Sequence, residues 1–286
     1  ELHTRDTFTA FNRISSTEKW LYNHRQPKWH AFYSEEALSL QRKFLDHFLK
    51  GLNTGIENEP SVRLQVNENR TDFTELLTDS WPPSQVKPQR RYLNAVDGSL
   101  ADAPIDATSV VSYDARTGST DFDMELGKTT DIVGGMRLRL WVEAVGSDDM
   151  DLFIAIRKFD SAGQEVFFYG FAGANSNDVV SRGYMRVSRR ELDESLSSEL
   201  RPIHLHQREL LLAPGEIVPV DIEILPSGTR FNAGEKLVLT IQGHVVEPHH
   251  NLIGFGKLRN QGVHRIHTGG RYDSYLTLPV IAKSGA

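Results

Sequence analysis

The sequence predicts a mainly β chain, a two-sheet sandwich of jelly-roll type preceded by a short segment of mixed helix and strand. Three observations carry that expectation. From about residue 100 onward, apolar and polar side chains alternate in many short runs, the period of strands buried on one face. Clusters of Gly, Asp, Ser and Pro separate those runs at uneven spacing, as in sandwiches with long connections. Residues 1–60 lack the pattern and carry helical periodicity instead.

In that first segment Phe8, Phe11 and Ile14 fall at helical spacing, and residues 19–23 (KWLYN) form a short apolar strand that stops at His24. Ser34 opens an amphipathic helix. Its hydroxyl suits the N-cap, while Glu35 and Glu36 suit the positive end of the helix dipole. Leu38, Phe44, Leu45, Phe48 and Leu49 make an apolar stripe, Lys50 suits the last turn, and Gly51 suits a left-handed C-cap. Helix, strand, histidine, helix is how an α/β domain ends, with the other strands absent. Residues 61–100 read as a connector that contains one strand (62–66) and a proline-stiffened stretch from Trp81-Pro82-Pro83 to Pro88.

Residues 101–286 carry the sandwich. Met136, Leu138, Leu140 and Val142 alternate with Arg137, Arg139 and Glu143, Trp141 being the exception on the polar side. Gly146-Ser147-Asp148-Asp149 is turn chemistry, Leu152, Ile154 and Ile156 alternate again, and Asp160-Ser161-Ala162-Gly163 leads to a third run at 165–169. These three strands are expected side by side in an antiparallel sheet, which needs a second layer to cover its apolar face. Residues 183–188, 217–224, 236–241 and 275–280 supply further strands. Pro219 argues for an edge or irregular position, and Pro226-Ser227-Gly228 for a turn.

Composition narrows the function classes. The 286 residues have room for one large or two ordinary domains, and 39% hydrophobic with 24% charged residues is globular usage. A net charge of −6 with no dominant Lys/Arg run argues against nucleic acid. The absence of cysteine excludes disulfides and thiol catalysis. It suits a cytoplasmic location and leaves secretion open. No apolar run approaches the ~20 residues of a membrane span, and no signal peptide opens the chain, so no membrane partner is expected. Glu1-Leu2-His3-Thr4 reads as the middle of a longer polypeptide. His204-x-His206, His249-His250 and His264-x-x-His267 lack the Cys or paired Glu of a zinc site. Asp148-Asp149-x-Asp151 lacks the glycine and bidentate Glu of a calcium loop, and reads as carboxylates satisfying turn backbone. Neither metal nor cofactor is expected. Trp141 reads as core or interdomain packing rather than a sugar platform.

Several stretches carry a resemblance: GYMRVSRRELD at 183–193, NQGVH at 260–264 with HTGG at 267–270, and DSYLTLPV at 273–280. LRLWV at 138–142, DMDL at 149–152 and FLDHFLKG at 44–51 add to it. In this order, over nearly the whole chain, they resemble the C-terminal part of the cocaine esterase and X-prolyl dipeptidyl-peptidase (CocE/NonD) family. The resemblance implies a serine hydrolase, with an α/β-hydrolase domain followed by a galactose-binding-like jelly roll. It implies small acyl esters, amides or X-Pro peptides as substrates and a triad in the order Ser, Asp, His. His24, after the strand at 19–23, then matches the triad histidine, a general base, with His30 six residues on as the alternative. Trp29 and Tyr33, just past it, are the candidates for lining a substrate cleft. No Gly-x-Ser-x-Gly occurs in the chain, so nucleophile and carboxylate are expected from an N-terminal α/β-hydrolase portion. The chain alone is expected to be inactive, and a homo-oligomer stays open. The competing reading is a stand-alone jelly-roll module that binds carbohydrate or a protein partner; the sequence upstream of Glu1 separates the two.

Overall fold

A computed structural model describes residues 3–170, 173–247 and 256–282. The N-terminal segment folds as α1 (Thr4–Arg13), β1 (Leu21–Asn23), α2 (Lys28–Phe32) and α3 (Glu35–Lys50). Local chemistry sets the limits of α3. The Ser34 hydroxyl accepts from the Ala37 N–H at 3.2 Å, and Gly51 closes the helix at φ 68°, a region open to glycine at little cost. Of this helix, Ala37 is the buried residue.

Sixteen further strands follow. They are β2 (Val62–Asn67), β3 (Phe73–Thr78), β4 (Val86–Asn94), β5 (Ser99–Ala101), β6 (Ser109–Asp114), β7 (Ser119–Glu125), β8 (Thr130–Val145) and β9 (Asp151–Phe159). After them come β10 (Glu165–Val166), β11 (Phe168–Gly170), β12 (Gly173–Asp178), β13 (Ser181–Arg186), β14 (Val218–Phe231), β15 (Lys236–Gln242), β16 (Val263–Thr268) and β17 (Tyr275–Ile281). Their pairing runs β14, β13, β9, β15, β7, β5, β4, β17, β8 and back to β14, so the sheet closes on itself like a barrel. The protein is mainly β, with one large core inside this ring. Leu138, Leu140, Ile154, Ile222, Leu239 and Leu276 are fully buried there. Among the described residues no helix is long and apolar enough to cross a membrane.

The closed sheet corrects three expectations. First, β8 and β9 are not neighbours. β8 lies between β14 on one edge and β16 and β17 on the other, and β9 lies between β13 and β15. Alternation reports which face of a strand is covered; it carries no information on which strand lies beside it. Second, Pro226-Ser227-Gly228 does not turn the chain. It is an irregularity, with the register against β8 shifting between Ile224 and Ser227, and β14 runs on to Phe231. Gly228 permits a close crossing there, because a Cβ would lie 2.5 Å from the Gln65 carbonyl. Third, the run at 165–169 divides between β10, which pairs with β9, and β11, which pairs with β12.

The N-terminal segment is stitched to this body through β2. β1 pairs with it in parallel, Leu21 opposite Val62 and Asn23 opposite Leu64, and β3 pairs antiparallel on the other side. β2 reaches β14 at Asn67 opposite Thr229. A second apolar cluster fills the junction, with Phe8, Phe11, Leu21, Val62, Leu64, Val66 and Val133, and Phe8 stacks on Trp81 at 3.7 Å. Residues 61–100 thus contribute β2 to β5, and β4 and β5 lie in the closed ring itself.

Candidate functional site

β1 ends at Asn23, and the next residue is the half-buried His24. Its Nδ1 is buried and has no hydrogen-bond partner among the described residues. Burial holds the imidazole below the usual histidine range, with the Gln26 main chain pulling the other way, so the ring is neutral at neutral pH and able to accept a proton. Tyr22 lies beside it at 6.0 Å between ring centroids, its hydroxyl pushed up by burial and by Glu36.

His24 lines a cleft of about 570 Å3 between β1, β2 and α3, together with Tyr22, Phe32, Phe44, Glu59 and Arg63. One wall is apolar and the rim is charged. Arg63 meets Glu36, Glu59 and Glu75 at 3.4, 3.2 and 3.0 Å. A hydrogen bond from Lys43 holds the Glu59 carboxyl below its usual range. Trp29 and Tyr33 stand on the outer side of α2, each 62% exposed, and do not line this cleft. They form an aromatic cluster with Phe32, at 6.0 Å between Trp29 and Tyr33 and 5.0 Å between Phe32 and Tyr33. Phe32 is the member that reaches the cleft. His30, also on α2, is exposed.

The turn after His24 is held by contacts that the sequence does not announce. The Arg25 N–H donates to Gln65 Oε1 at 3.1 Å, and its guanidinium donates to the carbonyls of Val180, at 2.9 Å, and Val179. The same guanidinium lies 4.3 Å over the Phe168 ring. Partners 154 and 155 residues away leave no local signal.

The remaining candidates are dispersed. His204 donates its Nε2–H to the Asp221 carbonyl at 2.9 Å, with His206 5.8 Å away between rings. His264 is buried against the Tyr113 hydroxyl at 3.2 Å, and His267 meets Glu143 at 2.9 Å. His249-His250 lies outside the described residues. Asp149 and Asp151 do more than satisfy their own turn. Asp149 takes the Ser188 N–H and hydroxyl and Arg259, while Asp151 takes both arms of Arg186. The two acidic residues therefore pin the family-like stretch at 183–193 to the start of β9. Trp141 is half-buried on the outer face, its indole N–H on Asp273 at 2.9 Å and its ring edge-on to Tyr272 at 5.5 Å. A second cleft, also about 570 Å3, gathers Arg5, Arg186, Arg189 and Arg201. Asp151 faces Arg186, Glu209 faces Arg189, and Glu223 is shared by Arg5 and Arg201, so most of its positive charge is met within the chain. His24 is thus the histidine that combines a cleft, a strand end and an unmet buried nitrogen.

Comparison with known proteins places the chain in a family. Residues 54–277 match the X-Pro dipeptidyl-peptidase C-terminal non-catalytic domain. Two crystal structures of a CocE/NonD family hydrolase from Staphylococcus aureus superpose with TM-scores of 0.92 and 0.93 at 37% identity, covering 98% of this chain and 52% of that one. An α-amino acid ester hydrolase shares the fold at 16% identity and a TM-score of 0.60, over 87% of this chain and 46% of its own. A Mycobacterium bovis protein named as a serine esterase is 24% identical over 70% of this chain and 35% of its own length. The chain spans about half the length of the staphylococcal hydrolase and about a third of the mycobacterial protein. From these matches, the chain belongs to the family of the X-Pro dipeptidyl-peptidase C-terminal non-catalytic domain, the β domain of CocE/NonD hydrolases.

Proposed function

We propose that this chain is the C-terminal portion of a serine hydrolase that cleaves small acyl esters or X-Pro-type amides, and that it contributes the triad histidine, His24. The nucleophile and the orienting carboxylate come from an N-terminal α/β-hydrolase portion. In this reading residues 1–60 are the last strand and helix of that hydrolase domain, and 101–286 form a jelly roll that takes in β4 and β5 from the connecting residues 61–100.

One observation carries the proposal: the buried, unpartnered Nδ1 of His24. Leaving a buried polar nitrogen unpaired costs about 1–3 kcal/mol, and a carboxylate at that position removes the cost while fixing the tautomer. Nε2 is then the acceptor that takes the proton from a serine hydroxyl and returns it to the leaving alkoxide or amine. Burial keeps the ring neutral before the reaction, and the carboxylate stabilises the imidazolium formed during it. Two further features support an incoming partner. Among the described residues β1 pairs only with β2, which leaves one strand edge for further pairing. Leu45 is 48% exposed, Leu49 77% and Trp29 62%, large apolar side chains left open on the adjoining helices α2 and α3. Trp29 and Tyr33 would line the mouth of the completed cleft.

The test uses the isolated chain and the same chain joined to its N-terminal portion. The isolated chain is expected to show no turnover of activated esters and no labelling by a fluorophosphonate. The joined protein should show both, and His24→Ala should reduce its kcat by about 10⁴-fold or more. Labelling of a serine in the isolated chain, or full activity of the joined His24→Ala variant, would overturn the proposal.

A further inference from the structure

The hold on the histidine loop comes from the β body. Arg25 sits immediately after His24, and all of its contacts named above lie on residues beyond the N-terminal segment. Val179, Val180 and Phe168 are buried, and so is Gln65 at 6% exposure, so both ends of the tie are anchored in packed structure. Val179 and Val180 form the link between β12 and β13. A planar guanidinium suits two successive carbonyls, because its donors leave in a fixed fork, and its face stacks on the Phe168 ring at the same time. A lysine ammonium lacks both the fork and the stacking face.

We infer that Arg25 is a positioning residue, by which the β body sets the direction of the His24 imidazole in the assembled hydrolase. The inference rests on His24 being the triad base. Strand pairing holds the backbone as far as Asn23, opposite Leu64. The next tie is the Arg25 main chain on Gln65, so the His24 backbone hangs between two fixed points, both set by β2. The guanidinium then fastens the second point to the β12–β13 link. Loss of the fork loosens the loop from the β12–β13 link and leaves the main-chain tie to Gln65, and displacing a catalytic group by about 1 Å costs about a hundredfold in rate. The domain described in this family as non-catalytic thus governs the rate through one arginine.

The experiment is a kinetic series in the complete enzyme, with the N-terminal portion present. Arg25→Ala is expected to lower kcat by about a hundredfold with KM nearly unchanged, and added guanidinium ion should restore part of it. Arg25→Lys, which keeps the charge and an ammonium donor but loses the planar fork, should fall between Arg25→Ala and wild type. Gln65→Ala, which loosens the main-chain tie, should show a smaller loss of the same kind. A structural stitch would behave differently: melting temperature would drop while kcat well below melting stayed at the wild-type value, and that result overturns the inference. If Arg25→Ala fails to fold, Arg25→Lys and Gln65→Ala give the same reading. His24→Ala separates the two levels. An inactive His24→Ala with wild-type kcat in the Arg25 variants sinks the role of Arg25 alone, whereas an active His24→Ala sinks the triad assignment on which it rests.

Discussion

The closed sheet and the α2–α3 face treat apolar side chains in opposite ways. Inside the ring Leu138, Leu140, Ile222 and Leu239 have no exposure, whereas on α2 and α3 Trp29, Phe32, Leu45 and Leu49 are 62, 47, 48 and 77% exposed. Polar groups differ as well. In the β body Asp149 and Asp221 are buried with arginines paired to them, Arg259 on the first and Arg137 and Arg139 on the second. In the N-terminal segment His24 Nδ1 is buried with nothing to pair with among the described residues. The β body pairs these buried carboxylates, while His264 Nε2 and Thr277 Oγ1 there lack a partner among the described residues, and the α2–α3 face exposes its apolar side chains. That difference is what the proposed reading, a β domain attached to the final piece of a second domain, expects.

The sharpest way to break the contrast is to damage the self-contained side. Leu140→Ala removes a fully buried side chain from the middle of β8 and should destabilise the chain by about 2–5 kcal/mol, because the surrounding strands cannot collapse into the gap. Urea unfolding followed by far-UV circular dichroism measures it. A loss below about 1 kcal/mol would mean that the ring interior is loosely packed, and the contrast would lose its first half.

A pH titration probes the same interior. Burial lowers the pKa of His264 to about 4, with Asp151 and Asp114 partly opposing, against an ordinary value of about 6.5. Between those values the unfolded chain binds a proton that the folded chain excludes. Stability is therefore complete above about pH 6.5 and declines as pH falls toward 4, by up to about 3 kcal/mol from this group. Thermal melts of wild type and His264→Gln between pH 7 and 4.5 should converge as the pH drops. Parallel pH profiles for the two proteins would show that His264 does not titrate against folding.

How legible this was in the sequence depends on the range of the physics involved. The limits of α3 were readable because Ser34 and Gly51 act within one turn of the helix. The strand at 136–142 was readable because burial on one face imposes a period of two, whereas at 152–156 the ring core takes Leu152, Ile154 and Ile156 and an outer cluster buries Phe153 and Ala155 as well. The long reach of β14 past Pro226 was not, since Pro-Ser-Gly is turn chemistry unless a neighbouring strand tolerates a register shift. Neighbour relations were illegible for the same reason: β8 and β9 are adjacent in sequence and apart in the sheet. At the candidate site His24 could be picked out by its place after a short apolar strand together with the order of the triad that the family resemblance implies. Arg25 could not, because its guanidinium answers to carbonyls of residues 179 and 180.

The smallest effect on stability should come from the exposed side, and it separates a surface built for a partner from a misplaced core. Leu45 and Leu49 lie one helical turn apart on α3, with Leu49 77% exposed, beyond the Phe44 and Phe48 rings that pack toward Trp20. In the isolated chain Leu45→Ser together with Leu49→Ser removes little buried area, so unfolding free energy should change by no more than about 1 kcal/mol. Covering those side chains with a partner is worth about 25 cal/mol for each Å2 of apolar area taken from water. The double variant should therefore bind a separately expressed N-terminal portion more weakly, or fail to restore its turnover, while melting like wild type alone. Light scattering of the isolated chain adds an internal control: self-association through this face, if present, should fall in the variant. Strong destabilisation of the isolated chain, with association unaffected, would place Leu45 and Leu49 in a core of the chain's own. The two regions would then not differ in kind.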